Sequence, residues 1–454
     1  MCQKSPKSMP PPSSRSVRPP VSPGAGATVD RWLAYLEAIH PTEIDLGLDR
    51  VLIVFRRLFR RKPEARIITV AGTNGKGSAV AAVEALLRAA GRRTGAYTSP
   101  HLQSYNERVR LDGTDISDAE LVKAFEVVEA ARGKVSLTYF EFGTLAAFVA
   151  FANAGVNHWI LEVGLGGRLD AVNVLDADFA ILTSVDIDHV AFLGDNREVI
   201  GFEKAGVLRP GIPAVYADND PPRSVLQQVA AQKVDLALLE RDYHLSPREG
   251  GRDSNSGPAL EYGGQLIRLP AGPLPLKSVA AAVVAIRNLE PELDSAAIEQ
   301  TLSSLSVPGR FELLGKRPDI FVDVGHNPHA AGWLSGQLES LKTPGKEVHA
   351  VYAALADKDV EGVGRAMAGV VDHWYLAGLD APRGLSGAVL KDRLWAAGLT
   401  AVSASETVLQ ALNTALSNAS ADDLVVVFGS FHTVAQAREI LLHSASQKRA
   451  PGLT

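Results

Sequence analysis

Cysteine is almost missing from this sequence: Cys2 is the single one among 454 residues. That excludes an intramolecular disulfide framework and a multi-cysteine zinc site, and it suits a reducing compartment. A run of about 18 uninterrupted apolar residues is also missing, so no membrane span is expected. No apolar core of a secretory signal stands near the start. Neither sign of charge dominates. Forty-six Lys and Arg against 51 Asp and Glu leave a formal net charge of -5, which gives no reason to expect nucleic acid or an anionic membrane as partner. The expectation is a cytoplasmic globular protein.

What is present is ordinary in bulk: 46% hydrophobic and 21% charged residues, in a length that suits two or three domains. Residues 1–28 are rich in Pro, Ser and Gly, with Lys4, Lys7, Arg15 and Arg18 and no acid through Thr28. So many prolines would break the amphipathic helix of a transit peptide, and the segment reads as a disordered tail. From Val29 the pattern turns globular. VDRWLAYLEAIH reads as a helix, with Trp32, Leu33, Leu36 and Ile39 at helical spacing.

Short apolar strands (RIITVA, RTGAYTS, HWILEVG, FAILTSV) then alternate with alanine-rich helices. This predicts an α/β fold whose first domain, residues 29–306, has a mostly parallel sheet around a P-loop. Gly- and Pro-rich sequence from Arg241 to Leu276 reads as hairpin-like decoration of that domain. Residues 307–454 are expected to form a smaller α/β, Rossmann-like domain, with DIFVDVG, EVHAVYAAL, HWYLAG and DLVVVFGS as strands. There is no internal repeat.

The strongest chemical signal is AGTNGKGS, Ala71–Ser78, set between an apolar strand and a helix. Glycines there let backbone N–H groups turn toward a phosphate, and the helix N-terminus adds a favourable dipole. Lys76 would offset β/γ-phosphate charge and Ser78 would ligate Mg²⁺. The loop is shorter than the general P-loop, and Gly77 separates Lys76 from the serine. Glu162, in WILEVGLGGRLD, and His189, in TSVDIDHVAFLG, each follow an apolar strand, where the ligand crevice of a parallel sheet lies. Taken alone, His189 also reads as a helix-cap or structural histidine, and Lys204 in GFEKAGVL as a solvated helix lysine. Arg310 in PGRFE and Asp323, His326 and Asn327 in DVGHNP occupy a site-forming position after a strand, although turn and N-cap chemistry would account for the latter two as well.

Together these segments form one pattern. The chain resembles the bifunctional dihydrofolate synthase/folylpolyglutamate synthase family of the Mur ligase superfamily. The matching stretches are HPTEIDLGLDRV, VAGTNGKGS, YTSPHLQSYNERV, LTYFEFGTLAAF, LEVGLGGRLDAVN, SVDIDHVAFLGDNREVIGFEKAGV, PGRFE, DVGHNPHAA, DKD and FGSFHTVAQA, in family order from about residue 29 to 440. The resemblance also accounts for the shortened P-loop, which is the variant those ligases use. It implies that Asn74, Gly75, Lys76 and Gly77 hold ATP phosphates. Ser78, Glu162 and His189 would bind Mg²⁺, and Lys204 would be carbamylated and help hold a second ion. Arg310, Asp323 and His326 would reach the nucleotide. Ile44, Asp45, Leu46, Thr138, Tyr139, Phe140, Glu141, Arg168, Leu169 and Asp170 would contact dihydropteroate.

Two departures stand out. Ser278 occupies the position where the family usually has an Asn that helps bind adenine nucleotide, and Gly325 stands where Ala is more usual. The implied activity is ATP-dependent addition of L-glutamate to dihydropteroate and to folates by a monomer, through an acyl phosphate. The alternatives are a monofunctional folate ligase or a cell-wall Mur-type ligase. Only about 70 residues precede the glycine loop, too few for the UDP-sugar domain that the cell-wall reading implies.

Overall fold

The computed structural model describes residues 21–24, 26–42, 44–246, 258–270, 272–400 and 402–449. Apart from 21–24 and 26–28, the segment read as a disordered tail lies outside these residues.

Eight strands form the first sheet: β1 (Arg66–Ala71), β2 (Thr94–Tyr97), β3 (Val109–Leu111), β4 (Thr114–Asp115), β5 (His158–Glu162), β6 (Phe179–Leu182), β7 (Pro213–Tyr216) and β8 (Asp235–Leu238). Their order is β4-β3-β2-β5-β1-β6-β7-β8. The six strands from β2 to β8 across the sheet run parallel, while β3 and β4 add an antiparallel edge. Ile67, Ile68, Val70 and Ala71 of β1 are all fully buried, as expected for a central strand covered on both faces. On one face lie the helices Lys76–Ala89 and Leu276–Leu289, which pack closely on each other through alanine and valine. The other face carries Val29–Ala38, Asp49–Leu58, Asp118–Arg132 and Tyr139–Ala154.

The last of these helices is buried all round from Glu141 to Phe151, which is why its sequence shows little amphipathic periodicity. Thr138 starts it with a capping box closed by Glu141. In the first helix the buried positions are Val29, Trp32, Tyr35 and Leu36; it ends at Ala38, leaving Ile39 as its cap. Burial of each large apolar side chain here contributes about 1.5–3 kcal/mol, and Trp32 alone meets Tyr35, Phe125 and Phe142.

A three-stranded antiparallel sheet follows, β9 (Tyr243–Ser246), β10 (Ala259–Tyr262) and β11 (Gln265–Arg268), in the order β11-β10-β9. It is the expected hairpin-like decoration. The third sheet comprises β12 (Glu312–Gly315), β13 (Asp319–Asp323), β14 (Val348–Tyr352), β15 (His373–Ala377), β16 (Val402–Ser405) and β17 (Leu424–Phe428), ordered β12-β13-β17-β14-β15-β16. All neighbours are parallel except β12 with β13. Helices cover both faces, with separate cores on each. The α/β architecture with two mostly parallel sheets is therefore as expected, while β3, β4, β7, β8, β12 and β16 are strands the sequence alone did not name. Among the described residues no helix is long and apolar enough to cross a membrane.

Candidate functional site

In the first sheet β1 has β5 on one side and β6 on the other, so the chain leaves its carboxyl end at a point where connections diverge, the usual ligand crevice of such sheets. The glycine loop begins there. Gly72 has φ +149°, and a Cβ on it would overlap Thr183 Oγ1. Gly75 is left-handed at φ +80°, and a Cβ there would overlap Ser278 Oγ. Only glycine satisfies both positions. The loop is tied down by Thr73 N–H donating to Ser184 O (2.8 Å) and Asn74 N–H donating to Ser184 Oγ (3.1 Å).

A cavity of about 560 Å³ opens over this loop. Its walls come from the loops after β1, β5 and β6, from the start of helix Leu276–Leu289, and from the far domain through Arg310, Asp323, His326 and Trp333. Asn74, Gly75, Lys76, Gly77, Ser78, Glu162, His189, Lys204 and Ser278 all line it. Lys76 Nζ donates to the carbonyls of Gly72 (3.1 Å) and Thr73 (3.2 Å). Burial pulls its ammonium pKa down, against the pull of Glu162 and Asp188. Glu162 is 4% exposed and accepts from Ser99 N–H at 3.2 Å; burial raises its pKa although Lys76 and Arg310 oppose that. Ser78 Oγ is buried with no hydrogen-bond partner.

An orphaned hydroxyl and a buried carboxylate that favours a nearby cation fit a hard divalent ion. Lys204 lies buried with Nζ 2.9 Å from Gly72 O, so it is not the solvated lysine its local sequence suggests. Burial, then repulsion from Lys76, brings its pKa from 10.5 down to about 7. His189 occupies the N-cap position of helix Val190–Leu193 in left-handed backbone at φ 52°, but its side chain makes no cap bond.

Arg310 lies over the Phe431 ring at 5.1 Å from its centre. Asp323 accepts from the N–H groups of Phe311 (2.8 Å) and Gly325 (2.7 Å). Asn327 caps helix Pro328–Leu341 by accepting from Ala330 N–H at 2.9 Å. Its amide also exchanges hydrogen bonds with that of Asn74, at 3.0 and 3.1 Å, across the domains. N-cap and interdomain contact are thus made by one side chain.

Sequence reading assigned no role to Asp188 or Lys358. Asp188 accepts from Lys358 Nζ (2.7 Å) and Asn327 Nδ2 (3.1 Å), and His326 Nε2 lies 3.3 Å away. Burial works against its ionisation, but His326, His189 and Lys358 outweigh this and hold its carboxyl well below the usual range. The signal was present in DIDH and DKD, yet nothing local says that the two meet.

None of the remaining predicted residues lines the cavity. Asp45, beside Ile44 and Leu46, binds Arg50 (2.6 Å), which also reaches Glu141 (3.0 Å). Thr138 and Glu141 close the capping box. Phe140 packs against Gly164 and lies 5.8 Å, centre to centre, from Tyr97, while Tyr139 faces Tyr105 at 5.7 Å. Arg168 pairs with Glu203 at 2.8 Å, next to half-buried Leu169. Asp170 accepts from Leu165 N–H (2.9 Å) and Val172 N–H (3.1 Å), and burial raises its pKa to about 7.

Comparison with known proteins decides the family. The chain is 41% identical over 425 residues to the dihydrofolate synthase/folylpolyglutamate synthase of Escherichia coli K12, covering 92% of this chain and 97% of that one. This chain belongs to the dihydrofolate synthase/folylpolyglutamate synthase family. The Haemophilus influenzae member is 39% identical over 434 residues, with 91% and 97% coverage. The Mur ligase, glutamate ligase domain matches residues 309–431.

Among solved structures, E. coli FolC in complex with DHPP and ADP superimposes with a TM-score of 0.87 at 39% identity, over 93% of this chain and 100% of that one. The Yersinia pestis bifunctional enzyme complexed with AMPPNP and Mn ion gives 0.86 at 42% identity, again over 93% and 100%. As a member of this family the chain is an ATP-dependent ligase that uses a divalent metal ion.

Proposed function

We infer that this ligase adds L-glutamate to 7,8-dihydropteroate, giving dihydrofolate, and to tetrahydrofolates, giving polyglutamates. The observation that carries the residue-level reading is the shared cavity, in which Lys76, Ser78, Glu162 and Lys204 of one domain face Arg310 and His326 of the other. The acceptor's carboxylate attacks the γ-phosphorus of ATP; the bond to the β,γ-bridging oxygen breaks, ADP leaves, and an acyl phosphate remains. The glutamate amine then attacks the acyl carbon, phosphate departs, and the amine's proton is lost to complete the amide.

Two anions meet in the first step, so positive charge at the transferring group lowers the barrier. Lys76 and Arg310 supply it, and Asn74, Gly75 and Gly77 present backbone to the phosphates. Ser78, Glu162 and His189 would hold Mg²⁺, with carbamylated Lys204 serving a second ion; bound there, magnesium supplies Lewis-acid charge at the phosphates. Conversion of an ammonium to a carbamate requires the free amine, and a pKa near 7 makes that form available. Asp323 anchors the nucleotide's far side, and Ser278 takes the adenine-side position. His326 approaches the reacting end beside Asp188. The pterin wall comprises Ile44–Leu46, Thr138–Glu141 and Arg168–Asp170. Closure of the two domains keeps water from the acyl phosphate. We place the enzyme in the cytoplasm as a monomer, as its resemblance implies, with residues 29–306 and 307–454 as its domains.

The test is ADP release by the purified chain with Mg-ATP, L-glutamate and either 7,8-dihydropteroate or tetrahydrofolate. Turnover with both acceptors, lost in Lys76→Ala and Glu162→Ala, is expected. No turnover with either acceptor would overturn the reading.

A further inference from the structure

A second cluster of ligating side chains lies at the opposite end of the C-terminal sheet. His349 and His373 are directly paired in register on the parallel strands β14 and β15, so their side chains leave the same face. Glu347 immediately precedes β14. These three offer one ligand atom each, all within 4.8 Å of one another. The two imidazole centres are 4.9 Å apart. The two rings are stacked, 23° from parallel, at the spacing of adjacent strands.

His349 is 1% exposed and its Nε2 has no hydrogen-bond partner. Its Nδ1 is 3.1 Å from Tyr375 Oη, which also accepts from Asn418 Nδ2 at 3.2 Å. With its proton on Nδ1, donated to Tyr375, the ring presents a lone pair at Nε2, the arrangement that a second-shell acceptor imposes on a metal-binding histidine. Asp423 Oδ2 stands 3.5 Å from that Nε2. Its carboxylate already accepts from the N–H groups of Glu347 (2.9 Å) and Ser420 (2.6 Å). Glu347 Oε2 is 3.1 Å from His373 Nε2. Donor atoms sharing one tetrahedral ion lie about 3.4 Å apart, so both separations match an edge of such a site.

We propose that Glu347, His349 and His373, flanked by Asp423, form a binding site for a first-row transition-metal dication of the Zn²⁺ class. Two imidazoles and a carboxylate select against Mg²⁺, which takes oxygen ligands. Being at the amino ends of β14 and β15, the site is separated from the catalytic cavity by the length of the strands, about 16 Å at 3.3 Å per residue. Its ion therefore clamps two strands of the glutamate ligase domain and takes no part in phosphoryl transfer.

The experiment uses Co²⁺ as a spectroscopic probe with the full-length chain in excess Mg²⁺. Wild type and Glu162→Gln should each bind one equivalent with the strong visible absorption of a tetrahedral site, displaced by Zn²⁺. His373→Ala, at a partly exposed position, should weaken binding at least about tenfold, abolish Zn²⁺-induced thermal stabilisation, and leave ligase turnover unchanged. Co²⁺ absorption that survives His373→Ala but disappears with Glu162→Gln would assign the ion to the catalytic cavity and overturn the proposal. So would the absence of any Co²⁺ or Zn²⁺ binding in wild type.

Discussion

Lys358 Nζ lies 2.7 Å from Asp188 Oδ1, and this contact joins the two α/β units beside the cavity over the glycine loop. Both side chains are largely buried, at 7% and 10% exposure, so the bond is poorly screened by solvent. A hydrogen bond to a charged partner contributes about 1.5–3 kcal/mol, which is roughly ten- to a hundredfold in the ratio of closed to open forms. Lys358→Met should therefore increase the radius of gyration in small-angle scattering and reduce ligase turnover at least about tenfold. Nucleotide affinity should also fall, because Arg310 and Asp323 of the second domain line the same cavity as the glycine loop. A Lys358→Met enzyme with unchanged turnover and compactness would show that the contact is incidental.

If Lys204 is carbamylated as proposed, carbon dioxide is a reagent that can be withheld. Burial and Lys76 bring its pKa to about 7, so the free amine increases as pH rises through neutrality. The sign for stability runs the same way. Between about pH 7 and 10.5 the unfolded chain holds a proton that the folded chain has released, so this lysine's burial penalty diminishes as pH rises through that window. Enzyme prepared in CO₂-depleted buffer should lose activity, and added bicarbonate should restore it more completely at pH 8 than at pH 6. Lys204→Arg cannot be carbamylated and should be inactive with or without bicarbonate. Full activity in rigorously CO₂-free buffer would remove the carbamate from the mechanism.

The contrast between Lys204 and Asp188 shows which parts of this molecule could be read in advance. Local chemistry was legible: the glycine loop between β1 and its helix shows in the order of residue types, because Gly72 and Gly75 adopt positive φ that few other residues take. Glu162 and His189 follow apolar strands and so fall at the crevice. Long-range pairing was not legible. Asp188 and Lys358 are separated by 170 residues, and nothing near DIDH tells which of two adjacent side chains turns toward the other domain. Strands β12 and β16 escaped for a different reason. Both contain only half-buried and exposed residues, so an edge position erased the apolar run by which the central strands are recognised. The composition of GFEKAGVL is that of a surface helix; only the family resemblance pointed Lys204 toward the site, and the fold shows it buried.

Gly75 makes a sharper test of the loop than removal of Lys76 does. Its φ of +80° is strained for any residue with a Cβ, and that atom would overlap Ser278 Oγ. The left-handed conformation costs about 1–2 kcal/mol for an L-residue. Gly75→Ala should weaken ATP binding at least about tenfold by calorimetry, since tenfold needs only about 1.4 kcal/mol. Gly75→Ala/Ser278→Gly removes the overlap but retains the backbone strain, and it should recover only part of the loss. Full recovery would mean that contact with Ser278, rather than φ, dictates glycine here.

Arg50 braces the proposed acceptor wall. Its guanidinium reaches Asp45 Oδ2 (2.6 Å), the Asp45 carbonyl (2.7 Å) and Glu141 Oε1 (3.0 Å), tying the Ile44–Leu46 stretch to the capped start of helix Tyr139–Ala154. Glu141 is 4% exposed and completes the Thr138 capping box. Arg50→Ala leaves that carboxylate without its cation, at a cost of about 1–3 kcal/mol, and frees the loop that carries Asp45. If this wall holds the pterin acceptor, KM for dihydropteroate should rise about tenfold or more while KM for ATP stays close to the wild-type value. Arg50→Lys should fall between the two, because an ammonium keeps the charge but lacks the planar fork that spans both carboxylates. Equal increases in both KM values would instead point to a loss of fold around Glu141, and a circular dichroism melt with a lowered Tm would separate that outcome from a specific loss of acceptor binding.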